Sequence, residues 1–145
     1  MNIIFSENKY PIAKDISWDD VIEKISKEYL GMIMINDMET YHLPTFFLRH
    51  DYYPGTIGET FKVVSEDCGV EVMHTYISFA KDSTTFGKHN DPVDVLLVQA
   101  KGTSSYLCDD VTYTLNPGDS LFLPKGTYHE PIVPGPRVTL SFSWE

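Results

Sequence analysis

The chain has 145 residues, the length of one compact domain with a single hydrophobic core. Its 21 acidic and 11 basic residues give a formal net charge of −10, which would repel a phosphate backbone and argues against a nucleic-acid partner. The 2 cysteines lack CxxC spacing, the first residues lack a signal-like pattern, and no window approaches the roughly 18 apolar residues of a membrane span. We therefore expect a soluble cytoplasmic protein with no membrane partner.

The first part of the chain, residues 1–69, predicts helices and short strands. A capping hydroxyl ahead of two aspartates, followed by apolar residues at helical spacing, predicts a helix over about residues 18–29. Short apolar runs at Met32–Ile35 and Thr45–Leu48 are typical of strands. The sequence Thr56-Ile-Gly-Glu59 has the pattern of a second capping box, which opens a helix that Gly69 can end.

From residue 70 onward the pattern changes to strands. Turn sequences rich in Gly, Asp, Asn and Pro separate short runs of β-branched and aromatic residues. The predicted strands are Val70–Ala80, Val93–Gln99, Thr103–Leu107, Val111–Leu115, Ser120–Leu123 and Arg137–Trp144. So many short strands predict a mainly β barrel or sandwich. With no repeat or linker, we predict one domain over residues 1–145, in which residues 1–69 wrap a barrel core of residues 70–145.

A turn, a buried strand, a proline and a glycine precede His129. The run Gly118-Asp-Ser-Leu-Phe-Leu-Pro124-Lys-Gly126-Thr-Tyr-His129 aims this histidine inward. It is similar to the second conserved motif of the cupins, which is a glycine, five residues, then Pro-x-Gly-x-x-His. Val133 stands where that family has a later asparagine. The resemblance implies a double-stranded β-helix, the cupin or jelly-roll barrel, with the N-terminal helices packed outside.

His89 and Asp91 stand two residues apart where the strand leading to Gln99 is predicted to begin. Residues two apart on a strand project to the same face, so both can bind one ion together with His129. Two imidazoles and one carboxylate leave the opposite positions of a metal open, the arrangement of non-haem Fe(II) oxygenases. We predict these three residues as the catalytic metal ligands. The alternative is a surface His–Asp pair beside a turn, with His129 as an ordinary core or loop histidine.

Three segments of the second half carry a narrower resemblance. Phe86–Gly102, Leu115–Glu130 and Val138–Ser141 resemble JmjC-type oxygenases of the cupin superfamily, and their ribosomal-oxygenase branch in particular. The resemblance covers about residues 70–145. It implies hydroxylation of a protein side chain with Fe(II), with 2-oxoglutarate as the co-substrate, and with dioxygen.

One position departs from that branch. Ser104 stands where the branch has the lysine that binds the distal carboxylate of 2-oxoglutarate. Arg137-Val-Thr139 is similar to the Arg-x-Ser element of other 2-oxoglutarate oxygenases, and a planar guanidinium suits a carboxylate. Ser104, Arg137 and Thr139 are thus candidates for binding the co-substrate. The competing interpretation is a solvated Arg137 that leaves a turn, while Lys88 and Lys101 are cations expected to point outward.

Tyrosines on neighbouring strands are further candidates for the co-substrate pocket. Tyr76 and Tyr106 lie on predicted strands beside the site. His74 shares the strand face of Tyr76, but core packing is the favoured interpretation of this histidine. Gln99 is predicted to be structural, and Asp109-Asp110 is predicted to be a hairpin turn rather than a second metal site.

The function that these residues predict is hydroxylation of an unactivated C–H group by an Fe(II)- and 2-oxoglutarate-dependent oxygenase. The expected substrate is a peptide, a protein side chain or a small amino-acid-like molecule. A homodimer formed through the N-terminal half or a sheet edge would supply missing pocket walls. Two alternatives stay open: a cupin dioxygenase that binds its substrate to iron without 2-oxoglutarate, and a non-catalytic cupin that binds a metal or a small ligand.

Overall fold

The computed structural model describes residues 2–29, 43–49 and 51–144. Within these ranges the strands form two antiparallel sheets, one of six strands in the order β1-β7-β4-β9-β3-β2 and one of three strands in the order β6-β5-β8. The elements are β1 (Ile4–Ser6), a 3-10 helix (Pro11–Asp15), α1 (Trp18–Tyr29), β2 (Thr45–Leu48), α2 (Gly55–Cys68), β3 (Val72–Ser78), β4 (Val95–Lys101), β5 (Ser104–Cys108), β6 (Val111–Leu115), β7 (Ser120–Leu123), β8 (Glu130–Ile132) and β9 (Arg137–Ser143). This mainly β, jelly-roll architecture confirms the predicted fold class.

Both faces of the six-stranded sheet are covered. Along β9, Val138, Leu140 and Phe142 belong to one core cluster with Val21 of α1 and Ile57 of α2. The alternate residues of β9 face the smaller sheet, because successive side chains of a strand point to opposite faces. Apolar residues of β4, β5, β6 and β7 form a second cluster between the sheets: Val95, Leu97, Tyr106, Cys108, Leu115, Leu121 and Leu123.

The two predicted helices are present. Helix α1 begins after Ser17, whose hydroxyl oxygen accepts a hydrogen bond from the backbone N–H of Asp20 at 3.1 Å, so the predicted cap is confirmed. Helix α2 ends at Gly69, which has a φ of +73° and donates its N–H to the carbonyl of Ser65 at 2.8 Å. Glycine is suited to this position because it has no Cβ to clash in the left-handed region.

The predicted capping box of α2 is wrong. The helix follows Pro54 without a side-chain cap from its own segment, and Thr56 lies inside the first turn. A carboxylate oxygen of Asp20 on α1 instead accepts hydrogen bonds from the backbone N–H of Thr56 at 2.8 Å and from its hydroxyl at 2.5 Å. The cap comes from another helix, which local sequence spacing does not reveal.

The strand that follows the metal motif begins later than predicted. His89 and Asp91 precede β4 and lie in a loop, where residue 89 makes only an isolated bridge. Pro92 has no N–H to donate to a strand ladder. The side chain of Asp94 accepts a hydrogen bond from the backbone N–H of Lys125 at 2.7 Å, which joins this loop to the loop after β7.

Other strand bounds lie within a few residues of the predicted ones. Strands β1 and β8, of three residues each, and the 3-10 helix were not predicted. The predicted strand Met32–Ile35 lies outside the described residues. In the part of the chain that the structure describes, no helix is long and apolar enough to cross a bilayer.

Candidate metal centre and its cavity

Two loops meet at one edge of the barrel and bring the predicted metal ligands together. The backbone N–H of His89 donates to the carbonyl of His129 at 3.0 Å, and the return bond measures 2.8 Å. The N–H of Gly126 donates to the carbonyl of Asp91 at 2.9 Å. His89, Asp91 and His129 each offer one ligand atom, and these three atoms lie within 4.8 Å of one another. The three residues therefore meet through a bridge between loops, and not through a shared strand face.

Both imidazoles are oriented by backbone carbonyls. Nδ1 of His89 lies 2.7 Å from the carbonyl oxygen of Gly87, and Nδ1 of His129 lies 2.9 Å from that of Thr127. A carbonyl only accepts, so each Nδ1 carries the proton and each Nε2 keeps a lone pair. These Nε2 atoms lie 3.9 Å and 3.5 Å from the two carboxylate oxygens of Asp91. The ligand atoms of all three side chains are thus close enough to bind one ion.

Burial favours the neutral form of His129. The residue is 5% exposed, and burial lowers the pKa of its imidazole, against the smaller raising effect of its bond to Thr127. The side chains of His89 and Asp91 are 27% and 33% exposed, so the group is open on one side. Neutral imidazoles and a carboxylate are the forms that bind a metal, and this donor set fits Fe(II).

A cavity of about 430 Å³ adjoins the three ligands. Its walls come from both sheets, including β2 of the larger sheet, and from the loop segments before and after His89. The lining residues are Thr45, Phe47, His74, Tyr76, Thr84, Thr85, Phe86, His89, Asp91, Pro92, Val93, Val95, Leu97, Tyr106, His129, Pro131, Arg137, Ser141 and Ser143.

Arg137 is buried at one end of this cavity. It is 2% exposed, its Nε donates to the hydroxyl of Ser78 at 3.0 Å, and its Nη1 donates to the hydroxyl of Thr139 at 2.9 Å. The guanidinium lies over the ring of Tyr76, 5.5 Å from its centroid. The solvated interpretation of Arg137 is wrong, because the register of β9 puts this side chain on the inner face. Among the described residues no carboxylate forms an ion pair with it.

Thr139 and Ser104 lie behind Arg137 and do not line the cavity. The hydroxyl of Thr139 donates to Oε1 of Gln99 at 2.8 Å, and the hydroxyl of Ser104 lies 3.2 Å from that of Thr139. Nε2 of Gln99 donates to the carbonyls of Lys101 and Gly102 at 2.9 and 3.2 Å, which fixes the amide. This buried network positions the guanidinium, and it agrees with a structural role for Gln99.

Both predicted tyrosines, Tyr76 and Tyr106, line the cavity together with His74. Burial raises the pKa of the Tyr76 phenol, and Asp91 raises it further while Arg137 lowers it. Tyr106 is 4% exposed. His74 packs edge-on against Phe47, with the ring centroids 5.2 Å apart, but its ring also faces the cavity. The core-packing interpretation of His74 was therefore incomplete.

Some cavity residues were missed in the sequence. Phe47 lies two residues after Thr45 on β2, so strand alternation could have identified it. Ser78, which holds Arg137, follows the same alternation on β3. Phe86 is 60% exposed, and its edge contacts with Phe47 and Tyr76 depend on how the loop folds back, for which the sequence carries no local signal.

Other predicted side chains lie away from the cavity. The ammonium group of Lys88 lies 5.9 Å from the ring centroid of Tyr128, and that of Lys101 donates to the carbonyl of Lys14 at 3.0 Å. The predicted outward orientation of both lysines is confirmed. Asp109 has a φ of +53° in the turn between β5 and β6, so the predicted hairpin turn is also confirmed.

Comparison with known proteins supports this fold. The family of AraC-like ligand-binding domains matches residues 71–144. No curated protein matches the chain in sequence. Among solved structures, the ribosomal oxygenase YcfD of Escherichia coli in complex with cobalt and 2-oxoglutarate superposes with a TM-score of 0.63 at 14% identity, over 99% of this chain and 48% of that chain.

Two further structures are similar. YcfD in complex with cobalt and succinic acid has a TM-score of 0.63 at 12% identity, with coverage of 99% of this chain and 48% of that chain. A cupin superfamily protein from Desulfitobacterium hafniense has a TM-score of 0.52 at 12% identity, with coverage of 77% and 88%. The chain spans about half the length of YcfD, and at these identities the likeness concerns the fold.

Proposed function

Because the chain belongs to the family of AraC-like ligand-binding domains, and because one cavity holds both a His-Asp-His group and a buried arginine, we propose that it is an Fe(II)- and 2-oxoglutarate-dependent oxygenase. The proposed substrate is a peptide, a protein side chain or a small amino-acid-like molecule. A bound Fe(II) would supply the activation of dioxygen that C–H hydroxylation requires.

The observation that carries the proposal is the burial of Arg137 without a carboxylate partner among the described residues. Burying a charge is costly unless an opposite charge or hydrogen bonds compensate it. Ser78 and Thr139 satisfy two of its five N–H groups, which leaves others for an anion from the cavity. A carboxylate can accept two parallel hydrogen bonds from one guanidinium, and this geometry suits the distal carboxylate of 2-oxoglutarate.

Tyr76 connects the two ends of the proposed co-substrate site. Its phenol is close enough to both Asp91 and Arg137 for their charges to change its pKa in opposite directions. A short dicarboxylate lying along Tyr76 would place one end at the guanidinium and the other beside the ligand group. In this arrangement His89, Asp91 and His129 hold the metal, Arg137 orients the co-substrate, and the aromatic wall excludes water.

The decisive experiment is an anaerobic titration of the Fe(II)-loaded chain with 2-oxoglutarate, followed by the weak visible charge-transfer band of a 2-oxo acid on iron. We expect a band that saturates. Arg137→Met should weaken 2-oxoglutarate binding at least about tenfold, since a hydrogen bond to a charged group contributes about 1.5–3 kcal/mol. Iron stoichiometry should stay unchanged in this variant.

The matched control is Lys88→Met, which removes an exposed cation next to a proposed ligand but outside the cavity. Its titration should match that of the unaltered chain. A protein that binds iron but shows no band would contradict the proposal. An Arg137→Met protein with unchanged affinity would remove the arginine from the site.

A second candidate function is favoured by the family match to ligand-binding domains. In that case the cavity binds a small anionic ligand and the protein catalyses nothing. The two functions differ in turnover. When dioxygen is admitted, an oxygenase converts 2-oxoglutarate to succinate, and it does so slowly even when the primary substrate is absent. A complete iron and 2-oxoglutarate complex that forms no succinate would favour the binding domain.

A further inference from the structure

The floor of the cavity carries a second polar group, away from Arg137. His74, Ser141 and Ser143 all line the cavity and are all half-buried. None of their side chains forms a hydrogen bond with any of the described residues, although each can both donate and accept. Half-buried polar groups without a protein partner bond to water or to a polar ligand, so these three side chains on one wall can bind a polar group that enters the cavity.

Strand register separates this group from Arg137. His74 pairs with Ser141 across β3 and β9, and Ser143 is the next residue on the same face of β9. Arg137 lies four residues before Ser141, which is about 13 Å along a strand that rises about 3.3 Å per residue. Tyr76, paired with Thr139, lies between the two polar ends. One short dicarboxylate bound at Arg137 would therefore leave the second group uncovered.

The second group is uncharged. Burial and the charge of Arg49 lower the pKa of His74, and the opposing effect of Asp51 is smaller, so this imidazole is neutral at pH 7. Edge-on contact with Phe47 holds the ring. One imidazole and two hydroxyls offer donors and acceptors together, which complements a carboxamide. Arg49 and Asp51 are exposed and do not line the cavity, so a carboxylate or an ammonium group would find no counter-charge among the lining residues beside His74.

We propose that His74, Ser141 and Ser143 form a specificity subsite that binds a neutral donor-and-acceptor group of the primary substrate, with a carboxamide as the chemical class. A substrate without such a group would displace water from these side chains without replacing its hydrogen bonds, so it should bind more weakly. The occupant is a substrate only if the proposed oxygenase function holds, but the subsite itself does not depend on iron.

Two probes of nearly equal size test the subsite: N-acetylglycinamide, which is neutral, and N-acetylglycinate, which is an anion. The full chain, loaded with diamagnetic Zn(II), is titrated with each and followed by ¹⁵N NMR of the histidine rings and the arginine Nε. The amide should shift the ring signals of His74. The anion should leave them unchanged and shift Nε of Arg137.

Variants separate the two ends of the cavity. Ser141→Ala should weaken binding of the amide about fivefold to tenfold, the loss expected for one hydrogen bond, and leave binding of the anion unchanged. Arg137→Met should have the reverse effect. Ser105→Ala is the matched control, because the hydroxyl of Ser105 pairs with that of Thr114 outside the cavity, and it should change neither affinity.

The proposal is overturned if the amide does not shift the His74 signals within its solubility range, if the anion shifts them equally, or if Ser141→Ala binds the amide as tightly as the unaltered chain. Failure of the oxygenase proposal gives a different result. In that case iron and 2-oxoglutarate form no complex, but amide binding and its loss in Ser141→Ala remain.

Discussion

Gly102 illustrates how one residue outside the cavity holds Arg137 in place. It has a φ of +63°, and a Cβ at this position would overlap the carbonyl oxygen of Pro136 and lie 3.2 Å from the Cα of Arg137. Its own carbonyl accepts a hydrogen bond from Gln99 at 3.2 Å, in the network behind the guanidinium. The absence of a side chain thus lets the turn after β4 lie directly against the start of β9.

Gly102→Ala should therefore be more damaging than an ordinary glycine substitution. Left-handed backbone strain and the overlap with Pro136 together should lower the free energy of unfolding by about 2–4 kcal/mol. Gly69→Ala is the matched control, since Gly69 has a φ of +73° but no atom within 4 Å of its added Cβ, and it should lose only about 1 kcal/mol. Urea denaturation measures both losses, and equal losses would show that the contact with Pro136 is unimportant.

His74 and His129 predict how stability depends on pH. Burial lowers the pKa of each imidazole below its ordinary value of 6.5. Because the pKa of each histidine is lower in the folded state, the unfolded chain binds protons at a higher pH than the folded chain does. The stabilising contribution of each histidine is therefore complete above its pKa in the unfolded chain. It is lost as the pH falls toward its pKa in the folded chain. In the presence of a chelator, urea midpoints should be level above about pH 7 and should fall below pH 6.5.

A His74→Gln variant isolates part of this pH dependence. Glutamine does not titrate, so the decrease in urea midpoint between about pH 7 and pH 5.5 should be smaller than in the unaltered chain. An unchanged decrease in the His74→Gln variant would show that His74 does not contribute.

At the scale of elements, Asp20 joins the beginnings of the two helices. It lies in the first turn of α1 and accepts the two hydrogen bonds from Thr56 of α2. The hydroxyl oxygen of Thr56 in turn accepts a hydrogen bond from the backbone N–H of Ser17 at 2.9 Å. The two hydrogen bonds from Thr56 lower the pKa of Asp20, that from the hydroxyl most of all, so the charged form of Asp20 holds the helices together.

Asp20→Ala should lower the free energy of unfolding by about 1–2 kcal/mol at neutral pH, as the loss of a helix cap does. Asp19→Ala removes an exposed acid from the same helical turn, and it should cost much less. Because the pKa of Asp20 is lowered, its contribution is present above the ordinary value of 3.8 and disappears as the pH falls toward the folded value. Chemical denaturation at neutral and acidic pH measures the difference, and equal losses in the two variants would contradict the inter-helix cap.

At the scale of the whole molecule, a metal should stabilise the fold by linking two loops. His89 and Asp91 lie before β4, and His129 lies between β7 and β8, so one ion joins segments far apart in the chain. A ligand that binds only the folded state stabilises by mass action, by about 2.7 kcal/mol at a concentration one hundred times its Kd. Zn(II) or Co(II) should therefore raise the Tm, and a chelator should reverse the gain.

Asp91→Ala should abolish this gain and the retention of metal. The side chain of Asp91 is 33% exposed, so the variant should fold without metal. Asp110→Ala removes an exposed turn aspartate instead and should keep the full increase in Tm. Metal stoichiometry and thermal melts of the three proteins decide the matter, and metal retention by a folded Asp91→Ala protein would remove Asp91 from the ligand group.

The fold class, both helices and the group of three metal-ligand candidates could all be predicted from the sequence. These features depend on local chemistry: period-two alternation, capping and turn residues, and the Pro-x-Gly-x-x-His spacing that directs His129 inward. Even where the expected strand for His89 and Asp91 was wrong, the residues meet, because the loop that carries them pairs with the loop of His129.

The surroundings of those ligands depend on contacts that form in the folded chain and could not be predicted. The tertiary structure buries Arg137, puts Thr139 and Ser104 behind it rather than in the cavity, and turns His74 toward the cavity. The cap that Asp20 forms on α2 also joins residues 36 positions apart. The physical reason is the same in each case: strand register, loop packing and helix contacts bring together residues that are distant in the chain, and short-range spacing carries no information about them.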